Sequence, residues 1–159
     1  MTVARPSISI IGVGNEHRHD DGAGIAVARR LRERFPTGIT VLEEGRDVAS
    51  LIESWKDATR VWLVDAARSG APAGTIHRLD VLASPVPAGF FRCSTHRYGV
   101  AEAVELARAL DQLPTEFIVY GIEGENFDTG VGLSAAVERA VETVVDQTAK
   151  EARRLGVEG

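Results

Sequence analysis

Two periodicities divide this chain. Short apolar runs over 7–13, 39–42, 60–65 and 116–122 have the isoleucine- and valine-rich character of inner strands. Longer stretches over 21–35, 47–55, 98–110 and 134–155 place apolar residues three or four positions apart, which predicts amphipathic helices. In the first, Ile25, Ala28, Leu31 and Phe35 make the stripe, and Pro36-Thr37-Gly38 ends it. In the second, Val48, Leu51 and Ile52 face inward behind Asp47 as N-cap. Val100, Ala103, Val104, Ala107 and Leu110 line the third. Val137, Ala140, Val141, Val144, Val145 and Thr148 line the fourth, which Ser134 is suited to start. A weaker alternation over 75–82 reads as an edge strand, and 69–74, 84–89 and 123–132 read as loops. Strands that alternate with helices predict an α/β fold. Its sheet is mostly parallel, of about five strands, and covered on both faces.

Composition narrows the setting. A length of 159 residues suits one domain, 1–159, with a core of its own. The net charge of −5, with acids and bases interspersed, argues against a binder of nucleic acid or of anionic membrane. Cys93 is the single cysteine, so no internal disulfide forms and a reducing cytoplasm fits best. Neither a signal peptide nor a membrane-spanning run is visible, and a soluble monomer is expected.

The chemistry gathers after the first strand. Residues 12–24 form a glycine-rich turn between strand and helix that ends in Asp20 and Asp21. In open parallel sheets, ligands bind beyond the C-terminal ends of the strands. Asp65 closes the third strand, and His96 precedes a helix on the same rim. Two carboxylates and an imidazole would make a three-ligand site with open positions, suited to zinc, nickel or iron. Asp20 reads as a cap for the helix start, and for Asp21 a capping role stands beside the ligand role. Asp65 is more suspicious, because an uncompensated carboxylate beside four apolar residues is costly. Cys93 and His96 have metal-ligand spacing, yet no second pair exists to close a structural zinc site; a small buried side chain explains Cys93 better than a nucleophile does. His17 and His19 read as loop residues, and the tryptophans as packing residues. A dinucleotide site would use Gly12, Gly14 and an acid at Glu43 or Glu44. His17 stands in its third glycine position, and Asp20 and Asp21 would repel the pyrophosphate.

The motif G-V-G-N-x-x-x-x-D-D-G-x-G over 12–24 resembles the opening motif of the hydrogenase maturation proteases. These endopeptidases trim the C-terminus of nickel-iron hydrogenase large subunits. The resemblance continues through Val64-Asp65-Ala66-Ala67-Arg68-Ser69-Gly70-Ala71-Pro72, Ser94-Thr95-His96, Tyr120-Gly121-Ile122-Glu123 and Gly132-Leu133-Ser134-x-x-Val137. It implies a three-layer α/β fold with a central twisted sheet. It also implies a metal-binding and catalytic triad at Asp21, Asp65 and His96, with Asp20 and Glu44 as weaker candidates for the general base. The metal it implies is nickel supplied by the substrate, with zinc or cadmium as expected substitutes in vitro. The partner it implies is a hydrogenase large-subunit precursor. Two departures stand out. His17 occupies a position that is usually hydrophobic, and Glu44-Gly45-Arg46-Asp47 replaces an Asp-Gly-Gly-Thr-like turn after the second strand. A non-proteolytic nickel-binding chaperone or checkpoint, and a hydrolase with its own zinc, are the alternative readings.

Overall fold

The computed structural model describes residues 7–87, 89–91 and 99–159. Within them the chain runs β1 (Ile8–Val13), a 3-10 turn (His19–Gly22), α1 (Ala23–Arg34), β2 (Thr40–Glu44) and α2 (Val48–Ser54). It continues through β3 (Arg60–Ala67), β4 (Ile76–Asp80), α3 (Val100–Ala109), β5 (Glu116–Glu123) and α4 (Ala135–Arg154). The strands form one sheet in the order β2-β1-β3-β5-β4. All neighbours are parallel except the edge strand β4, which runs antiparallel to β5.

Each side of the sheet buries its own core, as alternation along an inner strand requires. Ile8 and Ile10 of β1 pack with Leu31 of α1 and Val141 of α4, together with Trp62 and Ile118. Ile11 and Val13 face the opposite way and pack with Leu51 of α2, Val104 of α3, Leu63 and Phe117. The tryptophans are buried packing residues, as expected; Trp55 meets Phe117 edge to face at 4.9 Å and donates its ring N–H to Gln112 O at 3.2 Å. Arg30 bridges α1 to Glu138 and Glu142 of α4. Partly solvated pairs of this kind add little beside the apolar seam beneath them.

Three boundaries differ from the expectation. β3 runs past Asp65 to Ala67, so Asp65 lies inside the strand rather than at its end. The strand tolerates it because the carboxylate has partners: it accepts from Ala66 N at 2.8 Å and from Arg46. β2 likewise extends to Glu44, which pairs in register with Val13. Helix α1 begins only at Ala23: His19–Gly22 form a 3-10 turn in which Asp21 N donates to Arg18 O, and the Asp21 carbonyl accepts from Asn15 N in the preceding loop. Asp47 does cap α2, accepting from Ser50 N at 2.9 Å. Ser134 occupies the N-cap position of α4, but its hydroxyl is spent on Asp20 rather than on the helix. Tyr98, read as the start of α3, lies outside the described residues.

Backbone contact fixes how the site-bearing turn meets the sheet. A Cβ on Gly24 would lie 2.1 Å from Val64 O and 2.6 Å from Val13 O. Helix α1 therefore starts directly on the ends of β1 and β3, with no room for a side chain. The Gly24→Ala variant is expected to lose about 3 kcal/mol of stability, the upper end of ordinary overpacking costs, because backbone rather than a rotamer has to move. Urea unfolding of variant and wild type measures this.

Candidate functional site

Parallel pairing brings the C-terminal ends of β2, β1 and β3 to one rim. Gly14 N donates to Glu44 O at 3.1 Å, and the turn then folds back so that Asn15 N meets both the carbonyl and Oδ2 of Asp21, at 3.3 and 3.0 Å. Gly14 has φ +148°, and a Cβ there would lie 2.0 Å from Asp21 O; only glycine allows this return. The 3-10 turn thereby aims Asp21 toward Asp65 of β3.

Between the two carboxylates stands Arg46, from the turn after β2. Its Nη2 lies 2.6 Å from Asp21 Oδ1 and 2.6 Å from Asp65 Oδ1, and its Nη1 donates to Asp21 Oδ2 at 2.9 Å. The side chains of Arg46, Asp21 and Asp65 are 7%, 2% and 0% exposed, so one guanidinium and two carboxylates share a pocket closed to bulk water. Among the described residues, Asp65 Oδ2 and Arg46 Nε are buried there without partners. Burial pushes the Asp65 carboxyl up to about 6, partly offset by the Arg46 charge and hydrogen bond and reinforced by the Asp21 charge. Burial by itself would lower the Arg46 pKa; the charges of Asp65 and Asp21 outweigh it and raise it, so the guanidinium stays protonated.

The structure thus brings together two of the three residues expected to bind metal. His96, with Cys93, lies outside the described residues. Among the described residues no group of three metal-ligating side chains forms. The carboxylate pair nevertheless fits a divalent cation in chemistry: both groups already share one positive centre, and Asp65 Oδ2 holds an unspent lone pair. A metal bridging the two carboxylates would compete with the guanidinium for the position between them, where Arg46 Nη2 lies 2.6 Å from an oxygen of each.

Asp20 does not cap α1. It is fully buried and accepts from Glu125 N, Asn126 N, Ser134 N and Ser134 Oγ at 2.8 to 3.0 Å, which ties the β1–α1 turn to the loop after β5. A parallel bridge of Arg18 with Gly130 strengthens that tie. Glu44 is partly buried, and burial followed by the Asp47 charge raises its carboxyl pKa. It lines an open cleft of about 260 Å³ with Asn15, Glu16 and His17. His19 adopts φ +46° and places Nδ1 3.0 Å from Gly132 O, so it belongs to the same loop tie. Glu43, the acid that a ribose site would need, is engaged by Arg29 and Arg32.

Two features escaped the sequence. Arg46 stood out there only as a departure in a turn; nothing local says that it reaches two carboxylates on other elements. The second is Glu123, buried at the end of β5. It accepts from Ser69 N at 2.9 Å and from Ser69 Oγ, and lies 3.3 Å from His77 Nε2. Sheet register sets Asp65 opposite Gly121 and Ala67 opposite Glu123, so this cluster shares the α2–α3 face with Asp65. A carboxylate ending an apolar strand was the available signal, the same one that marked Asp65.

Comparison with known proteins places this architecture. Residues 25–151 match the family model described as hydrogenase maturation protease. A hydrogenase expression/formation protein, HoxM of Cupriavidus necator, is 30% identical over 92% of this chain and 74% of its own length. The hydrogenase 2 maturation protease of Escherichia coli is 26% identical over 95% of this chain and 93% of its own. The solved structure of the hydrogenase maturating endopeptidase HybD from E. coli superposes with a TM-score of 0.80 at 26% identity, covering 96% of this chain and 95% of that one.

The burial of Asp65 sets a pH dependence in the metal-free protein. Its folded pKa of about 6 exceeds the ordinary 3.8, so the stability it contributes is fully present below the ordinary value and is lost as pH rises through the folded one. Wild type should therefore lose up to about 3 kcal/mol relative to Asp65→Asn between pH of about 4 and about 7. Urea unfolding across that range reads the difference. Arg46→Gln should move the Asp65 carboxyl titration, followed by carbon NMR, to higher pH.

Proposed function

This chain belongs to the hydrogenase maturation protease family, and from that premise we propose that it removes the C-terminal extension of a nickel-iron hydrogenase large-subunit precursor after nickel insertion. Nickel enters as part of the substrate. Asp21, Asp65 and His96 receive it in the cleft at the strand ends, and no helix among the described residues is long and apolar enough to cross a membrane. A cytoplasmic reaction on a freshly assembled precursor fits this reading.

One observation carries the assignment of the carboxylates. Asp21 and Asp65 come from separate elements, yet both lie 2.6 Å from a single nitrogen, Arg46 Nη2, so one cation can serve both. The imidazole of His96, in the Ser94-Thr95-His96 motif, enters as the third partner on the family resemblance. Metal held there would polarise a nearby carbonyl or lower the pKa of a bound water. The protein's own contribution is positional. Asn15 N fixes Asp21 Oδ2, Ala66 N fixes Asp65 Oδ1, and the glycine contacts of α1 lock both elements to the sheet. Held this way, the scissile segment beside the metal becomes part of one preorganised unit.

Asp65→Ala and His96→Ala are expected to slow precursor cleavage by about a hundredfold or more, at least the cost of disturbing residues that merely support a metal ligand. The mass loss at the precursor C-terminus measures it, and cleavage at the wild-type rate by both variants refutes the triad. Matched nickel-loaded and nickel-free precursors give the companion test: the loaded form should be cut and the metal-free form left intact. Equal processing of both would mean that nickel is not what the enzyme inspects.

A further inference from the structure

We propose that Arg46 is a resident counter-cation that keeps the Asp21–Asp65 pair closed to free metal and yields it only when the ion arrives in the precursor. The proposal rests on the metal reading given above and assigns a specificity role to a residue outside the expected triad. Both Asp21 oxygens and Asp65 Oδ1 are engaged by the guanidinium. Arg46 Nη2 fills the position between the two carboxylates, and a divalent charge beside the guanidinium would be repelled at short range. The pair is closed from water as well, with Arg46 7% exposed, so Arg46 resists displacement. An ion in free solution offers nothing to offset the lost pairings. A precursor does, because its interface supplies further contacts when the ion is seated, and only the difference in binding between the two states can move the equilibrium.

The surroundings allow such an exchange. Arg46 sits in the short turn between β2 and α2, not within either element. The side-chain direction of the preceding Gly45 faces open space. A Cβ added to Gly99, at the start of α3, would lie 3.7 Å from Arg46 Cδ, in ordinary contact rather than a clash, so the Arg46 stem is not clamped on that side.

Nickel binding by the purified, precursor-free protein tests this. Calorimetry with nickel ion alone should show Arg46→Ala and Arg46→Gln binding about tenfold or more tightly than wild type, since the competent state no longer has to be released. Adding Asp65→Asn to either variant should abolish the gain. Affinity no higher than wild type in both variants, or a gain that survives Asp65→Asn, overturns the proposal. Should the substitutions unfold the metal-free chain, nickel must restore the fold, seen as a return of the thermal transition. Failure to do so also overturns the proposal, because metal would then be unable to replace the guanidinium. The metal reading itself is judged separately, by precursor cleavage in Asp65→Ala. A variant dead in cleavage with no metal gain at Arg46 removes the gate and leaves the triad.

Discussion

Two carboxylates and one guanidinium, withdrawn from water at the ends of three adjacent strands, are the constraint around which the functional end of this molecule is arranged. A buried charge is costly unless its partners are placed well, and Asp65 has nowhere else to turn. Its partner must come from the turn after β2, and the second carboxylate from the turn after β1. Each of those turns is then held to the rim by an ion pair as well as by its own backbone. The glycine contacts at the start of α1 serve the same end, because they seat the helix that follows Asp21 directly on β1 and β3.

Much of this could be read from residue pattern. The apolar runs and the helical stripes predicted the strands, the helices and the two-sided sheet. Asp65 was legible because a carboxylate amid Val61, Trp62, Leu63 and Val64 contradicts its neighbours, and such contradictions need a reason. Asp20 was misread as a cap for a different reason. Adjacency in sequence suggested the nearest helix, whereas its oxygens serve N–H groups more than a hundred positions away. Arg46 lay beyond reach altogether. A long side chain in a polar turn looks like any solvated arginine, and only the parallel register of β2, β1 and β3 reveals where it points. The lengths of β2 and β3 failed similarly, since polar residues end a strand only when they lack partners, and Glu44 and Asp65 sit within paired segments.

The loop after β5 is tied into the same design. Asp20 gathers three backbone N–H groups and one hydroxyl from 125, 126 and 134, and Arg18 donates to Phe127 O at 3.1 Å. The β1–α1 turn is thus held on one side by Arg46 and on the other by this loop. Asp20 and Asp21, neighbours in sequence, face opposite tasks: one fastens the scaffold, and the other joins the charged pocket. That division explains why two consecutive carboxylates can be buried together without sharing a partner.

If the metal comes with the substrate, as proposed above, the site faces a difficulty that a resident metal site does not. Between encounters its ligands are unpaired negative charges, which either repel each other, take up protons or capture whatever ion is at hand. Protonation is the route that burial alone would favour, as the raised pKa of Asp65 shows. A guanidinium within the pocket changes the balance, because it never deprotonates and matches two carboxylates in one plane. It keeps Asp21 and Asp65 pointed at a common centre while that centre holds no metal. On the reading proposed above, preorganisation toward a cation and protection from stray cations would both follow from the same three hydrogen bonds.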